Sequence, residues 1–351
     1  MGNLVALDRS GGAEFLRALD RIWANGDAAL PVDQRLPAQA RSALLTQMRV
    51  GEPVESGDAL VLATSGTTGA PKGVVLTHAA LDAHADAVNE FLSVEPAADR
   101  WLACLPLAHI GGLGVVLRAR RNRTPVEVLP GFDAAAVAAS DSTLVSLVPT
   151  VLDRVDVSRF RHILLGGSAI PRDRPANSTA TYGLTETGGG VVYDGLPLPG
   201  VEVRIDPDAQ IELRSPTLLR CYRDGRNPLT SDGWLPTGDI GSITRGVLRV
   251  AGRSGDMIIT GGENVWPTPV EEILVRHPGI LAAAVVGRPS AEWGQQVTAV
   301  LELRDTATAP DLEALRAMVK EQLPAFCAPK AIEIVPVLPR TALGKIKRAA
   351  L

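Results

Sequence analysis

"ALVLATSGTTGAPKG", residues 59–73, begins as an apolar run of strand character and ends in a loop with three glycines, four hydroxyls, a proline and a lysine between Thr64 and Gly73. Glycines let backbone N–H groups wrap an anion, hydroxyls add donors and Lys72 adds a point charge, so the loop is suited to phosphate. The order is not that of a nucleotide-kinase loop. Pro71 stands where the second glycine of G-x-x-x-x-G-K-[ST] belongs, and Gly73 follows the lysine. Proline lacks an N–H and disfavours helix in the residue before it, so the loop should not open directly into a helix.

Beyond the loop, Thr77 predicts an N-cap for the amphipathic helix "HAALDAHADAVNEFL", residues 78–92. The short β-rich runs "RWLACLPLAH" (100–109), "TPVEVLP" (124–130), "STLVSLVP" (142–149) and "RHILLGGS" (161–168) alternate with Ala-rich segments. That alternation predicts an α/β domain with buried, mostly parallel strands. The first sixty residues read as helical ("GGAEFLRALDRIW", 11–23). Between 192 and 253 short strands separated by Gly, Pro and Asp predict an antiparallel β subdomain. After "GRSGD" a compact α+β unit of roughly one hundred residues follows. The division expected is a large domain over 1–253 and a small mobile one over 254–351.

The chain of 351 residues carries a formal charge of −4 and is 46% hydrophobic, which offers a large core and no basic stripe for nucleic acid. No apolar run approaches membrane-spanning length, and "MGNLVALDRSGG" lacks the features of a signal peptide. Cys104, Cys221 and Cys327 are odd in number and form no C-x-x-C pair, so a reducing cytoplasm is expected.

Four further stretches follow in order: "YGLTET" (182–187), "TGD" (237–239), "GRSGDMIITGGENVWP" (252–267) and "RTALGKIKR" (340–348). With the opening loop, they are similar to the signatures of the adenylate-forming enzymes: acyl-CoA synthetases, peptide-synthetase adenylation domains and firefly-type luciferases. The resemblance covers most of the chain from Ala59 onward. It implies a large α/β domain with a β subdomain, a small α+β domain, and activation of a carboxylic acid by ATP with Mg²⁺ before transfer to a thiol such as CoA. No nucleic acid and no membrane insertion are expected, and a homodimer is left open.

On the matching positions the resemblance implies these roles. Thr64, Ser65, Gly66, Thr67, Thr68, Gly69 and Lys72 hold the phosphates. Tyr182 lies against adenine, with Gly166, Gly167 and Ser168 as the opposite wall and Thr181, Gly183 and Thr185 beside it. Glu186 and Thr67 hold Mg²⁺, while Asp239 and Arg253 hold the ribose. Lys345 stabilises the charge that develops when the acid attacks the α-phosphate. His109 stands at the aromatic-gate position, and Gly111, Gly112, Ser146, Thr150, Gly188 and Gly189 shape the acyl pocket. Gly261 and Gly262 line the CoA tunnel, and Gly255 occupies the hinge, where relatives carry Asp or Lys.

The N-terminal part and the connector "AIPRDRPANSTA" (169–180) are shorter than in most relatives. With "YGLTETGGGVVYDGLPLPGVEV" and "GGENVWPTPVE", the chain most resembles the short actinobacterial o-succinylbenzoate–CoA ligases of menaquinone synthesis. Another aryl- or acyl-CoA ligase, or a carrier-loading adenylation protein, would share every motif. A non-catalytic nucleotide-binding protein would keep the loop, but Glu186, Asp239, Arg253 and Lys345 together argue against it.

Overall fold

The computed structural model describes residues 2–64, 71–167, 170, 173–304, 308–340 and 346–351. Packing divides the chain into two units, Met1–Val203 with Glu212–Pro236 and Arg204–Ile211 with Thr237–Leu351.

In the first unit the strands Leu4–Leu7, Ala28–Pro31 and Asp58–Thr64 run parallel, and Lys72–Thr77 returns antiparallel to the last of them. The two strands before residue 60 correct the helical reading of that stretch. Helices Ala13–Ala24 and Ala38–Gln47 are present, but "LVAL" and "AALP" are strands of four residues each. They are too short to show a period, and Ala28, Ala29 and Leu30 are fully buried, so no polar alternation marks them. A strand, Lys72–Thr77, and not a helix follows Pro71, as that proline implied. Thr77 then caps helix His78–Phe91, its hydroxyl accepting from the Ala80 N–H at 3.1 Å.

A seven-stranded sheet carries the rest of this unit. Its strands Val126–Val128, Trp101–Ala103, Leu144–Leu147, His162–Leu165 and Ser178–Leu184 are parallel neighbours, and Gly189–Tyr193 folds back antiparallel on the last. Helix Ile110–Arg121 packs on this sheet and on helix His78–Phe91. Because the strands are parallel, Gly166 after Leu165 and Thr185 after Leu184 emerge at the same edge, where open α/β sheets bind ligands.

Strands Glu202–Ile205, Gln210–Arg214, Leu235–Thr244 and Val247–Arg253 form a four-stranded sheet. The two-residue strand Cys221–Tyr222 instead pairs with Lys72–Thr77, bringing Tyr222 opposite Val74. In the second unit, helices Pro267–Leu274 and Leu312–Lys320 cover the hairpin Ile280–Ser290/Gly294–Leu303, and Val270, Leu274, Val285, Val297, Leu301 and Leu315 form its core. Helix Pro267–Leu274 also packs on Val247–Arg253, which groups that hairpin with the C-terminal unit and puts the packing division ahead of 253/254.

Candidate active site

In the first unit, Glu186 sits in the short turn Thr185–Thr187, locked by the buried Thr187 hydroxyl, which accepts from the Leu184 N–H at 2.9 Å. The Tyr222 hydroxyl donates to Glu186 Oε1 at 3.0 Å, and the Glu186 carbonyl accepts from the Leu219 N–H at 2.7 Å. Lys72 Nζ lies 5.4 Å from the centroid of the same phenol ring. Burial and the Glu186 charge hold the Tyr222 hydroxyl well above its ordinary pKa, so it stays a donor. Thr64 pairs with Lys72 in the strand register, and its hydroxyl donates to the Lys72 carbonyl at 3.4 Å.

The glycines at the strand ends have specific neighbours. A Cβ at Gly166 would lie 2.6 Å from Thr181 Oγ1, and one at Gly183 would lie 2.1 Å from the Gly189 carbonyl, so both are required for strand packing. Gly167 needs a φ of 86°. The three glycines 188–190 close on a residue not singled out from sequence. His84 Nε2 is 2.9 Å from the Gly190 carbonyl, and a Cβ at Gly189 would meet that imidazole at 2.9 Å. The room these glycines leave on that side is taken by His84.

Burial, with Arg118 nearby, pushes the His84 imidazole down to about 4 from its ordinary 6.5. The unfolded chain therefore takes up a proton that the folded one refuses, so this contribution to stability is lost as pH falls from about 6.5 towards about 4. His84→Gln, which cannot titrate, is expected to flatten part of that pH dependence in urea-unfolding midpoints. An unchanged slope would contradict it.

Arg118 is a second buried group that sequence reading passed over. It is 5% exposed; its Nη2 donates to Ser146 Oγ at 2.8 Å and its guanidinium lies 4.7 Å from the Trp101 ring centroid. Its Nε has no hydrogen-bond partner, and no carboxylate among the described residues pairs with it. A buried unpaired cation is costly, and burial lowers its pKa accordingly. Ser146 is thus turned towards a positive charge, whereas Thr150 is exposed in the turn Pro149–Arg154.

His109 precedes helix Ile110–Arg121, with Nε2 buried 3.6 Å from Asp33 Oδ2 and without a hydrogen bond. Burial lowers its pKa, while Arg35 holds the Asp33 carboxyl down at about 2. A Cβ at Gly112 would lie 2.5 Å from the Leu105 and Pro106 carbonyls, so that glycine lets the helix approach the loop; Gly111 is exposed.

The second unit places Asp239 opposite Arg253 in the hairpin, with Arg253 Nε 2.7 Å from Asp239 Oδ1. The Thr237 hydroxyl accepts from the Asp239 N–H at 3.0 Å and donates to the Ile211 carbonyl at 2.7 Å, on either side of Gly238, whose φ within the strand Leu235–Thr244 is 72°. Gly255 lies exposed in the turn Ser254–Asp256, with nothing near enough to meet a Cβ. Gly261 and Gly262, with φ of 59° and 83°, make the two-residue turn between Ile258–Thr260 and Glu263–Val265. A Cβ at Gly261 would lie 2.8 Å from the Trp293 ring.

Ser65, Gly66, Thr67, Thr68, Gly69, Ser168 and Lys345 lie outside the described residues. Among the described residues no three His, Cys, Asp or Glu cluster as a metal cage. Glu186 is half-buried, with Oε1 accepting from Tyr222 and Oε2 without a described partner. One hard carboxylate oxygen on the phenol that Lys72 also meets fits Mg²⁺, which is commonly held by one or two carboxylates plus the substrate's phosphates.

The AMP-binding enzyme family matches residues 13–222, and the AMP-binding enzyme C-terminal domain matches residues 269–345. The chain belongs to the AMP-binding enzyme family. This AMP-binding enzyme is 38% identical to the probable 2-succinylbenzoate–CoA ligase of Mycobacterium tuberculosis, across 97% of this chain and 95% of that one. Its fold is similar to that of Bacillus subtilis o-succinylbenzoate CoA synthetase in complex with the acyl-adenylate intermediate OSB-AMP, with a TM-score of 0.87 and 26% identity over 99% and 87% of the two chains. The same synthetase in complex with ATP and magnesium ion gives a TM-score of 0.86 at 27% identity, over 100% and 89% of the chains. The AMP-binding enzyme thus has the adenylate-forming fold, a large N-terminal and a small C-terminal domain, and no helix among its described residues is long and apolar enough to cross a membrane.

Proposed function

We propose that the protein is an o-succinylbenzoate–CoA ligase of menaquinone synthesis. The succinyl carboxylate attacks the α-phosphorus of ATP, giving the acyl-adenylate and pyrophosphate; the CoA thiol then attacks the acyl carbonyl and AMP leaves. Bound Mg²⁺ supplies charge neutralisation on the phosphates. Lys72 balances phosphate charge, Glu186 offers the metal an oxygen, and Asp239 with Arg253 is arranged to hold ribose hydroxyls. Lys345 supplies its ammonium to the adenylation step, and Gly255 is the pivot about which the small domain reorients for thiol attack.

The observation that carries the substrate is Arg118. Its guanidinium is buried beside Ser146 without a carboxylate partner among the described residues, a cost that an acid with a second, non-reacting carboxylate would offset. o-Succinylbenzoate carries such a carboxylate on its ring; fatty acids do not. The names of the relatives support this reading over a carrier-loading protein. The free cysteines Cys104, Cys221 and Cys327 support a cytoplasmic setting.

The test is pyrophosphate release with MgATP and CoA across o-succinylbenzoate, benzoates and straight-chain fatty acids, with the thioester identified by mass. Strong preference for o-succinylbenzoate is the expected result. Preference for another acid overturns the substrate, and release without a CoA ester overturns the acceptor.

A further inference from the structure

Two groups of opposite charge that serve the same triphosphate touch one phenol. The Tyr222 hydroxyl donates to Glu186 Oε1 at 3.0 Å, and the Lys72 ammonium lies 5.4 Å from the Tyr222 ring centroid. The sheet explains the meeting. Tyr222 is directly opposite Val74, and Lys72 lies two residues before Val74 in the same strand, so all three share one face. Glu186 reaches the phenol from the next segment, held by its own carbonyl on the Leu219 N–H at 2.7 Å. Arg226 also lies over the ring, at 5.4 Å, but Asp224 ties its guanidinium at 2.8 Å. Lys72 has no such tie: among the described residues it meets the ring and forms no ion pair.

We infer that Tyr222 is a positioning residue for MgATP, which keeps the Lys72 ammonium and the Glu186 carboxylate apart and each aimed at the ligand. Without the phenol that both of them reach, a flexible lysine and a carboxylate would be free to pair with each other, and ATP and its metal would have to break that pair. With it, the hydroxyl fixes the carboxylate and the ring face holds the ammonium weakly enough to release it to phosphate. The inference rests on the assignment of Mg²⁺ to Glu186.

The experiment is calorimetric titration of ATP, in EDTA and at a series of Mg²⁺ concentrations, into the wild type, Tyr222→Phe, Tyr222→Leu and Glu186→Gln, with unfolding midpoints recorded for each. Phenylalanine keeps the ring and loses the hydroxyl. Tyr222→Phe is expected to bind metal-free ATP as the wild type does while needing about fivefold more Mg²⁺ for half-saturation, the weight of one hydrogen bond. Tyr222→Leu is expected to weaken metal-free ATP binding as well, by about fivefold, as Lys72 turns to Glu186. A Tyr222→Phe variant with the wild-type Mg²⁺ requirement, or with ATP binding weakened equally in EDTA and Mg²⁺, overturns the role of Tyr222. An unshifted Mg²⁺ requirement in Glu186→Gln instead overturns the placement of the metal at Glu186.

Discussion

Lys345→Ala is expected to lower acyl-adenylate formation by about 10²–10³-fold and to leave CoA transfer from a supplied acyl-adenylate nearly unchanged. When a carboxylate approaches an α-phosphate, negative charge gathers on the phosphoryl oxygens and on the departing pyrophosphate. A preorganised cation there stabilises the transition state more than the ground state, and losing one such donor costs about this much. The thiol step has a different charge distribution and, in the proposed cycle, follows reorientation of the small domain, so it does not call on the same ammonium. Rapid-quench measurement of the two half-reactions separates them. Equal loss in both would make Lys345 structural, and no loss in the first would remove it from catalysis.

The second large effect is expected at Arg118. Arg118→Met keeps the length and apolar bulk of the side chain, removes the charge, and should lower kcat/KM for o-succinylbenzoate by about 10²-fold or more, since the ring carboxylate then enters a buried site with no cation. The unliganded protein should lose no stability and gain some, because a buried guanidinium with an unpartnered Nε has been replaced by an apolar side chain. Activity falling while the unfolding midpoint holds or rises is the signature of a charge kept for a ligand. A midpoint that drops with activity would mean that Arg118 is retained for its contacts with Ser146 and Trp101.

The features carried by contiguous residues were legible in the sequence. The cap at Thr77 depends on a neighbour a few positions away, and Pro71 correctly excluded a helix after the loop, where the strand Lys72–Thr77 follows. Features made by distant partners were not legible. Tyr222 reaches Glu186 across 36 positions, Arg118 reaches Ser146 across 28, and His84 reaches Gly190 across 106. Arg118 had a signal that could have found it. In "GVVLRARRN" it looks like one member of a surface charge run, yet helical spacing sets it on the face of the buried Gly114 and Val115, while Arg121 points outward. Tyr222 had none, because a strand of two residues has no period. The strands Leu4–Leu7 and Ala28–Pro31 were hidden for the same reason.

The substrate is decided by the identity of the acyl-adenylate formed when the enzyme receives MgATP without CoA and an equimolar mixture of o-succinylbenzoate, 4-oxo-4-phenylbutanoate, benzoate and a medium-chain fatty acid. The second acid has the reacting succinyl arm without the ring carboxylate. o-Succinylbenzoyl-AMP is expected to dominate by mass spectrometry, with 4-oxo-4-phenylbutanoyl-AMP minor. Equal use of those two acids, or dominance of a fatty acyl-AMP, would contradict the proposed substrate.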